Sequence, residues 1–306
     1  MKILVTGSHG FVGSELLPAL MAEGHRVARL VHGPLRGTDE IGWNPSANRI
    51  DGAALEGFDA VVHLAGENIA GRWTAAKKGR IRESRVAGTR LLCETIAKLQ
   101  RPPRVLAAAS AIGFYGDRDD EVLTEESAAG NGFLPEVTRD WEAAAQPSRA
   151  RDIRVVHLRF GMILGACGGP LAKMLPPFRF GLGGRIGSGR QWCSWVSIGD
   201  VVGAIQFALA NELLSGPVNV VSANPVTNDE FTRVLGRVLR RPTIFPLPAA
   251  VARLALGEMA DEVLLASTRV NPARLLGAGF EFKQPELEMA LRHLLSAGKP
   301  PHRMAD

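Results

Sequence analysis

The chain has 306 residues, of which 46% are hydrophobic and 22% are charged, and its formal net charge is +5. These proportions are typical of a folded globular protein with a sizeable core and argue against a disordered or fibrous chain. The positive charge does not indicate a nucleic-acid-binding protein, because the arginines are interspersed with acids and a single tyrosine leaves too few aromatics for base stacking. Solvated faces account for most of the charge, and part of it is available for a phosphate-bearing cofactor or substrate.

The three cysteines, Cys93, Cys167 and Cys193, are far apart and odd in number. This spacing predicts neither a disulfide framework nor a zinc site and favours a reducing compartment. The basic start is not followed by the apolar core of a signal peptide, and no later run approaches the ~18 apolar residues of a membrane helix. We therefore expect a cytoplasmic protein that binds no metal, no membrane and no nucleic acid.

The N-terminal sequence predicts a strand, a glycine-rich turn and a helix. Lys2–Thr6 is a short apolar strand and residues 14–23 are helix-like. Gly7 suits the sharp reversal between them, Gly10 would let a pyrophosphate approach the backbone at the helix N-terminus, and Gly13 would let helix and strand pack closely. Because the glycines follow a strand and open a helix, they predict a dinucleotide-binding turn; an ordinary glycine-containing loop is the alternative.

Residues 26–32 read as a second strand, and the residues that follow it bear on cofactor choice. An NAD-binding fold places an acid about 20 residues past the glycines to take the ribose 2′-hydroxyl, and none is present here. Arg29, His32 and Arg36 stand in this region instead and would suit the 2′-phosphate of NADP. The alternative is that the two arginines are only exposed surface residues.

The remaining chain alternates buried strands with helices. Residues 33–58 predict a loop with at most a short strand near Arg49–Ile50. Apolar strands are predicted at residues 59–65, 104–110, 153–159 and 216–222. Helices are predicted at residues 84–99, 200–211, 228–239 and 285–295, and one more helix ends at residue 146. This order predicts a doubly wound parallel sheet of the α/β class. Ser110 ends one strand at the edge where open α/β sheets bind ligands.

The amino-acid composition changes after residue 164. Residues 165–189 are rich in glycine, proline and basic residues and predict a ligand loop. Asp200 and Thr227 are predicted helix caps. We expect residues 1–164 with about 191–222 to form the dinucleotide-binding domain. The other residues, about 165–190 and 223–306, form a smaller, mostly helical substrate-binding region.

Nine segments carry a resemblance to a known family over nearly the whole chain. They are Thr6-Gly-Ser-His-Gly-Phe-Val-Gly13, His63-Leu-Ala-Gly-Glu67, Ser84-Arg-Val-Ala-Gly-Thr-Arg-Leu-Leu92, Ser110 with Gly113-Phe-Tyr-Gly116, Lys173-Met-Leu-Pro-Pro-Phe178, Gly187-Ser-Gly-Arg-Gln191, Trp195-Val-Ser-Ile-Gly-Asp200, Gly216-Pro-Val-Asn-Val-Val221 and Arg274-Leu-Leu-Gly-Ala-Gly-Phe280. The chain resembles an extended, atypical short-chain dehydrogenase/reductase of the NAD-dependent epimerase/dehydratase superfamily. Within it, the chain is similar to the epimerase-like group with a C-terminal helical segment.

The resemblance implies a Rossmann fold and assigns roles to individual residues. The pyrophosphate would lie on Gly7, Ser8, Gly10, Phe11, Val12 and Gly13. The adenosine and ribose would border Leu64, Ala65 and Gly66, and the nicotinamide would face Ser110, with Arg159 and Gly161 beside it. Glu67, Lys173 and Arg190 become candidate substrate contacts, the last two as anchors for an anionic group. NADP is the expected cofactor, with NAD less favoured.

One feature of the family pattern is missing. The superfamily's proton donor is a tyrosine in a Tyr-x-x-x-Lys helix, where the lysine lowers the pKa of the phenol from about 10. Tyr115 is the only tyrosine and is followed four residues later by Asp119. Where the family places the pair, this chain has Phe133 and Val137, and neither side chain can carry a proton.

Two hypotheses follow. The first is an NADP-linked oxidoreductase or epimerase-like enzyme acting on a small carbonyl or nucleotide-sugar-like substrate. Its proton transfer would use the hydroxyl groups of Ser110 and Tyr115, or else Glu67 or water. The alternative for Tyr115 is an aromatic side chain that only packs in a loop. The alternative for Ser110 is a strand-end serine that only hydrogen-bonds to the backbone. The second is a non-catalytic NADPH-binding sensor that presents its C-terminal segment to a partner protein. The oligomeric state stays open, a homodimer included.

Overall fold

The computed structural model describes residues 1–297. The strands are β1 Lys2–Thr6, β2 Arg26–Val31, β3 Glu40–Asn44, β4 Arg49–Ile50, β5 Ala60–His63, β6 Val105–Ala111, β7 Val122–Leu123, β8 Arg154–Phe160, β9 Met162–Leu164, β10 Trp192–Cys193, β11 Trp195–Ser197, β12 Gly216–Val220, β13 Val226–Thr227 and β14 Arg269–Val270. The helices are α1 Phe11–Ala22, α2 Ala75–Ile96, α3 Phe133–Ala143, α4 Gln146–Arg149, α5 Gly169–Arg179, α6 Ile198–Ala210, α7 Asn228–Leu239, α8 Ala249–Leu256, α9 Ala273–Gly277 and α10 Leu287–Ala297. A π-helical turn spans Ala260–Leu265. Residues 298–306, which belong to the predicted C-terminal region, lie outside the described residues.

An eight-stranded sheet in the order β12-β8-β6-β5-β1-β2-β3-β4 organises the chain. Every neighbouring pair in it is parallel except β3 and β4. Successive residues of β1 face opposite sides, so Ile3 and Val5 join one core cluster and Leu4 joins another. The first cluster contains α1 and α6 residues and the second contains α2 residues. The doubly wound parallel sheet predicted from the sequence is therefore confirmed.

Two regions predicted as loops contain regular structure. Residues 33–58 include β3, which was not expected and pairs in parallel with β2. They also include β4, the short strand expected near Arg49–Ile50, which closes the edge as an antiparallel partner of β3. Residues 165–189 include the helix α5. Leu171, Leu175 and Phe178 on α5 are buried, at the spacing of one helix face. The loop prediction was wrong there because the glycines and prolines obscured this apolar periodicity.

The helix caps differ in part from those expected. Thr227 caps α7 by accepting from the Glu230 N–H, as predicted. The cap of α6 is Ser197 rather than Asp200, which lies in the first turn and accepts from the Ser197 hydroxyl at 2.9 Å. The Asp200 carboxylate also accepts from the backbone N–H groups of Lys283 and Gln284. Asp200 thus ties α6 to the segment that leads into α10.

The first part of α2 was also missed. The helix begins at Ala75 rather than near Ser84, and Thr74 caps it by accepting from the Lys77 N–H. None of the helices within residues 1–297 has the length and hydropathy needed to cross a membrane.

Candidate functional site

The glycine turn between β1 and α1 shows a division of roles. Gly7 has φ +68°, and a Cβ on it would lie 2.7 Å from the Leu64 carbonyl carbon. A Cβ on Gly13 would collide with the Gly7 carbonyl oxygen. A Cβ on Gly10 would meet only the Gly7 oxygen, at 3.1 Å. Gly7 and Gly13 therefore permit close packing of the turn, whereas Gly10 leaves space above the start of α1.

The N-terminus of α1 is available to an anion. Gly10 is its N-cap and provides no side-chain hydrogen bond to the first turn. The first-turn N–H groups of a helix have no intrahelical partner, and the helix dipole favours negative charge there. Phe11 bounds this site on one side: side chains on Gly165, Gly168 or Gly169 would collide with its ring. The second glycine-rich segment is thus shaped to fit against the first turn, a relation that the sequence did not indicate.

A buried hydrogen-bond chain holds the bend after β5. The Thr6 hydroxyl oxygen accepts from the N–H groups of Leu64 and Ala65, each at 3.1 Å, so its proton points to His63 Nδ1, 2.7 Å away. His63 Nε2 then carries the ring proton and donates to Thr89 Oγ1 at 2.9 Å. Burial lowers the pKa of His63 to about 4, so the ring is neutral. The bend of residues 64–66 is thereby fixed beside the glycine turn.

The three cations expected to meet a 2′-phosphate lie in different environments. Arg29 on β2 donates from Nε and Nη2 to Asp39 at 2.8 and 3.0 Å and lies 3.3 Å from Glu40. The hydrogen bond with Asp39 raises the pKa of Arg29 and lowers that of Asp39. His32 and Arg36 are exposed, and neither side chain hydrogen-bonds to another described residue. His32 also borders an open cleft of about 680 Å³. The Arg29 charge is therefore neutralised within the fold, whereas the side chains of His32 and Arg36 are free of partners among residues 1–297.

Ser110 is part of a buried ionic cluster. It is the parallel register partner of Arg159 on β8, so both side chains reach the same face of the sheet. The Ser110 hydroxyl donates to Glu142 Oε1 at 2.6 Å, and Arg159 donates to both oxygens of Glu142 at 2.8 and 2.9 Å. Burial opposes ionisation of Glu142, but the hydrogen bonds and charge of Arg159 outweigh it and lower the pKa of this carboxyl. Glu142 was not singled out from the sequence.

Tyr115 continues this cluster into the core. Its side chain is 0% exposed; the hydroxyl donates to Asn219 Oδ1 at 2.7 Å and accepts from Arg159 Nη1 at 3.0 Å. Burial raises the pKa of the phenol despite the nearby Arg159. The Arg159 guanidinium also lies 3.6 Å from the Phe114 ring centroid. The hydroxyl groups of Ser110 and Tyr115 therefore both have partners inside the protein.

The positions of the missing Tyr-x-x-x-Lys pair are apolar in structure as well as in sequence. Phe133 and Val137 pack in a cluster with Trp73, Ile81 and Met259. The Glu262 carboxylate, from the π-helical turn, accepts from the N–H groups of Phe133 and Leu134 at 2.8 and 2.7 Å. The C-terminal region thus caps the helix that would carry the pair, and no proton donor is present at either position.

The remaining predicted site residues are dispersed. Glu67, just after the bend, forms ion pairs with Lys77 at 2.7 Å and Arg80 at 3.7 Å. Lys173 on α5 and Arg190 are exposed and have no side-chain partner among residues 1–297. Gly161 follows β8, and a Cβ on it would lie 2.5 Å from the Ser194 carbonyl oxygen, so it serves packing. The described residues contain no group of three His, Cys, Asp or Glu side chains placed to hold a metal ion.

Comparison with known proteins decides the family. A model of the NAD dependent epimerase/dehydratase family matches residues 3–221. The chain belongs to this family. A second model, Domain of unknown function (DUF1731), matches residues 247–294. The resemblance to extended, atypical short-chain dehydrogenases/reductases with their own C-terminal segment is confirmed.

Relatives in this epimerase family match over nearly the full chain. Epimerase family protein Mb2239 of Mycobacterium bovis is 44% identical over 290 residues, covering 94% of this chain and 96% of the relative. The crystal structure of human epimerase family protein SDR39U1 (isoform 2) with NADPH is 35% identical, has a TM-score of 0.90, and covers 97% of this chain and 99% of that one. The nucleoside-diphosphate sugar epimerase of Corynebacterium glutamicum is 35% identical with a TM-score of 0.82, over 97% of this chain and 58% of that one.

Proposed function

We propose that the chain binds NADPH along the carboxyl edge of its sheet and acts as an oxidoreductase on a carbonyl-bearing small molecule. The observation that carries the proposal is the position of Gly10. Of the three turn glycines, it alone opens onto space at an uncapped helix N-terminus, where a pyrophosphate would fit. The human relative crystallised with NADPH supports the choice of cofactor.

Each part of the cofactor would meet a specific set of residues. The pyrophosphate would lie on the backbone of residues 7–13, and the ribose next to the fixed bend of residues 64–66. The 2′-phosphate would meet His32 and Arg36, because Arg29 is already paired with Asp39. NADPH, when bound, supplies a hydride. The protein contributes binding, orientation and exclusion of water.

The buried hydroxyls restrict the chemistry. A hydroxyl whose proton is held by Glu142 or Asn219 orients its neighbours rather than protonating a substrate. Loss of a positioned general acid typically costs about 10²–10⁴-fold in rate. Substrates whose product oxyanion is delocalised, such as quinones and conjugated carbonyls, depend least on such an acid. We therefore propose these as the substrate class, ahead of nucleotide sugars.

The second candidate function is a non-catalytic NADPH sensor. It is favoured by the apolar surroundings of Phe133 and Val137 and by the burial of Tyr115. In this case the C-terminal region, which caps α3 through Glu262, would carry the signal to a partner protein.

Calorimetric titration with NADPH, followed by NADPH consumption against quinones, α-dicarbonyls and nucleotide sugars, separates these functions. Binding with turnover of the first two classes supports the oxidoreductase. Tight binding without turnover of any class, together with a partner recovered by pull-down, favours the sensor. Absence of NADPH binding by the folded protein would overturn both.

A further inference from the structure

The side chain of Arg85 lies at the bend that follows β5. Its Cζ, Nη1 and Nη2 atoms are 3.4, 3.5 and 3.6 Å from the position that a Cβ on Gly66 would occupy, so the guanidinium lies face-on against this glycine. Its Cζ is 5.0 Å from the Trp141 ring centroid. The sequence had suggested a solvated arginine among neighbouring acids. The structure instead holds it half-buried, between α2, α3 and the edge of the sheet.

The charge of Arg85 has no direct counterion. Its Nη1 donates to the carbonyl oxygens of Glu67 at 2.9 Å and Ile81 at 3.3 Å, and no carboxylate among residues 1–297 lies within ion-pair distance. Burial lowers the pKa of this guanidinium to about 10, with the Glu67 charge opposing the effect. The Nε and Nη2 groups have no partner among the described residues and are not fully buried, so they remain open to solvent or to a ligand.

Other cations on α2 are paired differently. Arg82 pairs with Asp140, and Lys78 with Glu258. Near Arg85, the single carboxylate of Glu67 already forms ion pairs with Lys77 at 2.7 Å and with Arg80 at 3.7 Å. One negative charge therefore faces three positive ones at the exit of β5. The local field favours an anion, and a guanidinium binds planar or tetrahedral oxyanions through two parallel hydrogen bonds.

We propose that Arg85 binds an anionic group of the substrate, a carboxylate or a phosphate, at the bend that follows β5. The inference rests on the proposed function for the position of the cofactor. The anionic groups of the cofactor have other binding residues, the start of α1 for the pyrophosphate and His32 with Arg36 for the 2′-phosphate. Arg85 lies beyond Gly66, on a different helix.

The test uses NADP⁺-saturated protein titrated with inorganic phosphate and, separately, malonate. The ¹⁵N–¹H signal of the Trp141 indole reports on the site because this ring adjoins Arg85. Both probes should shift the signal in the wild type, and Arg85→Gln should weaken their Kd by about tenfold or more, the loss of a charged hydrogen bond. Arg82→Gln, on the same helix but paired with Asp140, is the matched control and should bind as the wild type does.

Cofactor affinity keeps this test separate from that of the proposed function. The Kd for NADP⁺ should stay within about threefold of wild type in both variants, since neither residue is assigned to the cofactor. If Arg85→Gln does not fold, the Nε–H signal of Arg85 in the wild type, identified by its loss in Arg85→Lys, must itself shift with phosphate.

Three results would overturn the inference while leaving the proposed function of the wild-type protein intact. The first is a wild-type protein that binds NADP⁺ but neither probe. In the second, Arg85→Gln binds the probes normally while Arg190→Ala does not, which would move the anion site to the segment after α5. In the third, Arg85→Gln loses affinity for NADP⁺ alone, which would assign Arg85 to the cofactor.

Discussion

The Ser110 hydroxyl on β6 donates a 2.6 Å hydrogen bond to Oε1 of Glu142 on α3. The same carboxylate is held by two donors of Arg159, whose third nitrogen reaches the Tyr115 hydroxyl. A hydroxyl has a single proton, so Ser110 cannot protonate a substrate while this bond persists. The cluster joins β6, β8, α3 and the turn Ile112–Tyr115, and its first role is to hold these elements in place.

Glu142→Gln should destabilise the protein strongly. It leaves the Arg159 guanidinium, whose side chain is 4% exposed, without its counter-charge. Breaking a buried ion pair in this way costs about 3 kcal/mol or more. Urea unfolding measures the change. Asp140→Asn, which breaks the exposed pair with Arg82 on the same helix, is the control and should cost less than about 1 kcal/mol. Equal costs would contradict a structural role for the cluster.

Tyr115→Phe should affect stability more than catalysis. Removing the hydroxyl leaves a buried oxygen of Asn219 and one N–H of Arg159 without this partner, at a cost of about 1–3 kcal/mol. NADPH turnover with a quinone should fall by less than about tenfold, because the hydroxyl does not reach the site. A fall of about a hundredfold or more, with an unchanged unfolding free energy, would instead identify Tyr115 as the proton donor.

Gly10→Val and Gly13→Val should separate binding from folding. A Cβ on Gly10 meets only the Gly7 oxygen, at 3.1 Å, which a small shift relieves, but the side chain occupies the proposed place of the pyrophosphate, so the variant should fold and lose NADPH affinity by about a hundredfold or more. A side chain on Gly13 collides with the Gly7 carbonyl, so that variant should have a lower Tm. Calorimetric titration and thermal melting test the pair. Normal NADPH binding by folded Gly10→Val would place the cofactor elsewhere.

NADPH should bind at least several-fold more tightly than NADH. Arg36→Ala should reduce NADPH affinity by about tenfold and leave NADH affinity unchanged, because a charged contact to the 2′-phosphate is worth about 1.5–3 kcal/mol. Arg29→Ala should leave this preference nearly intact and lower stability instead, since its guanidinium is bound to Asp39. Calorimetry with both cofactors measures the ratios. If Arg29→Ala loses the preference for NADPH and Arg36→Ala keeps it, Arg29 and not Arg36 contacts the 2′-phosphate.

Stability should fall as the pH is lowered from neutral. Burial lowers the pKa of His63 and of His157 to about 4. The unfolded chain, with a histidine pKa of about 6.5, binds protons that the folded protein excludes, so stability is complete above about pH 6.5 and is lost down to about pH 4. Each buried histidine should cost roughly 2 kcal/mol between pH 7 and pH 5.

Urea unfolding across this range measures the loss. His63→Gln should flatten the dependence, whereas the exposed control His293→Gln should leave it as in the wild type. An identical pH dependence in His63→Gln would show that other groups, and not this histidine, account for the loss.

Local patterns were sufficient to predict the sheet and the glycine turn. The apolar strands and the alternation with helices depend on neighbouring residues, and so does the need for glycine at Gly7. The same kind of reasoning failed at α5, where prolines and glycines obscured the spacing of Leu171, Leu175 and Phe178. It also failed at β3, whose strand is fixed by pairing with β2 rather than by its own composition.

The state of each functional group was decided by tertiary structure. The sequence placed Ser110 and Tyr115 near one edge, but their partners Glu142 and Asn219 are 32 and 104 residues away along the chain. Arg85 has an acidic neighbour, Glu83, in sequence, yet the structure packs it against Gly66 and Trp141 without a counterion. Hydrogen bonds and burial act between groups that folding brings together, and these contacts determine whether a charge is solvated, neutralised or available to a ligand.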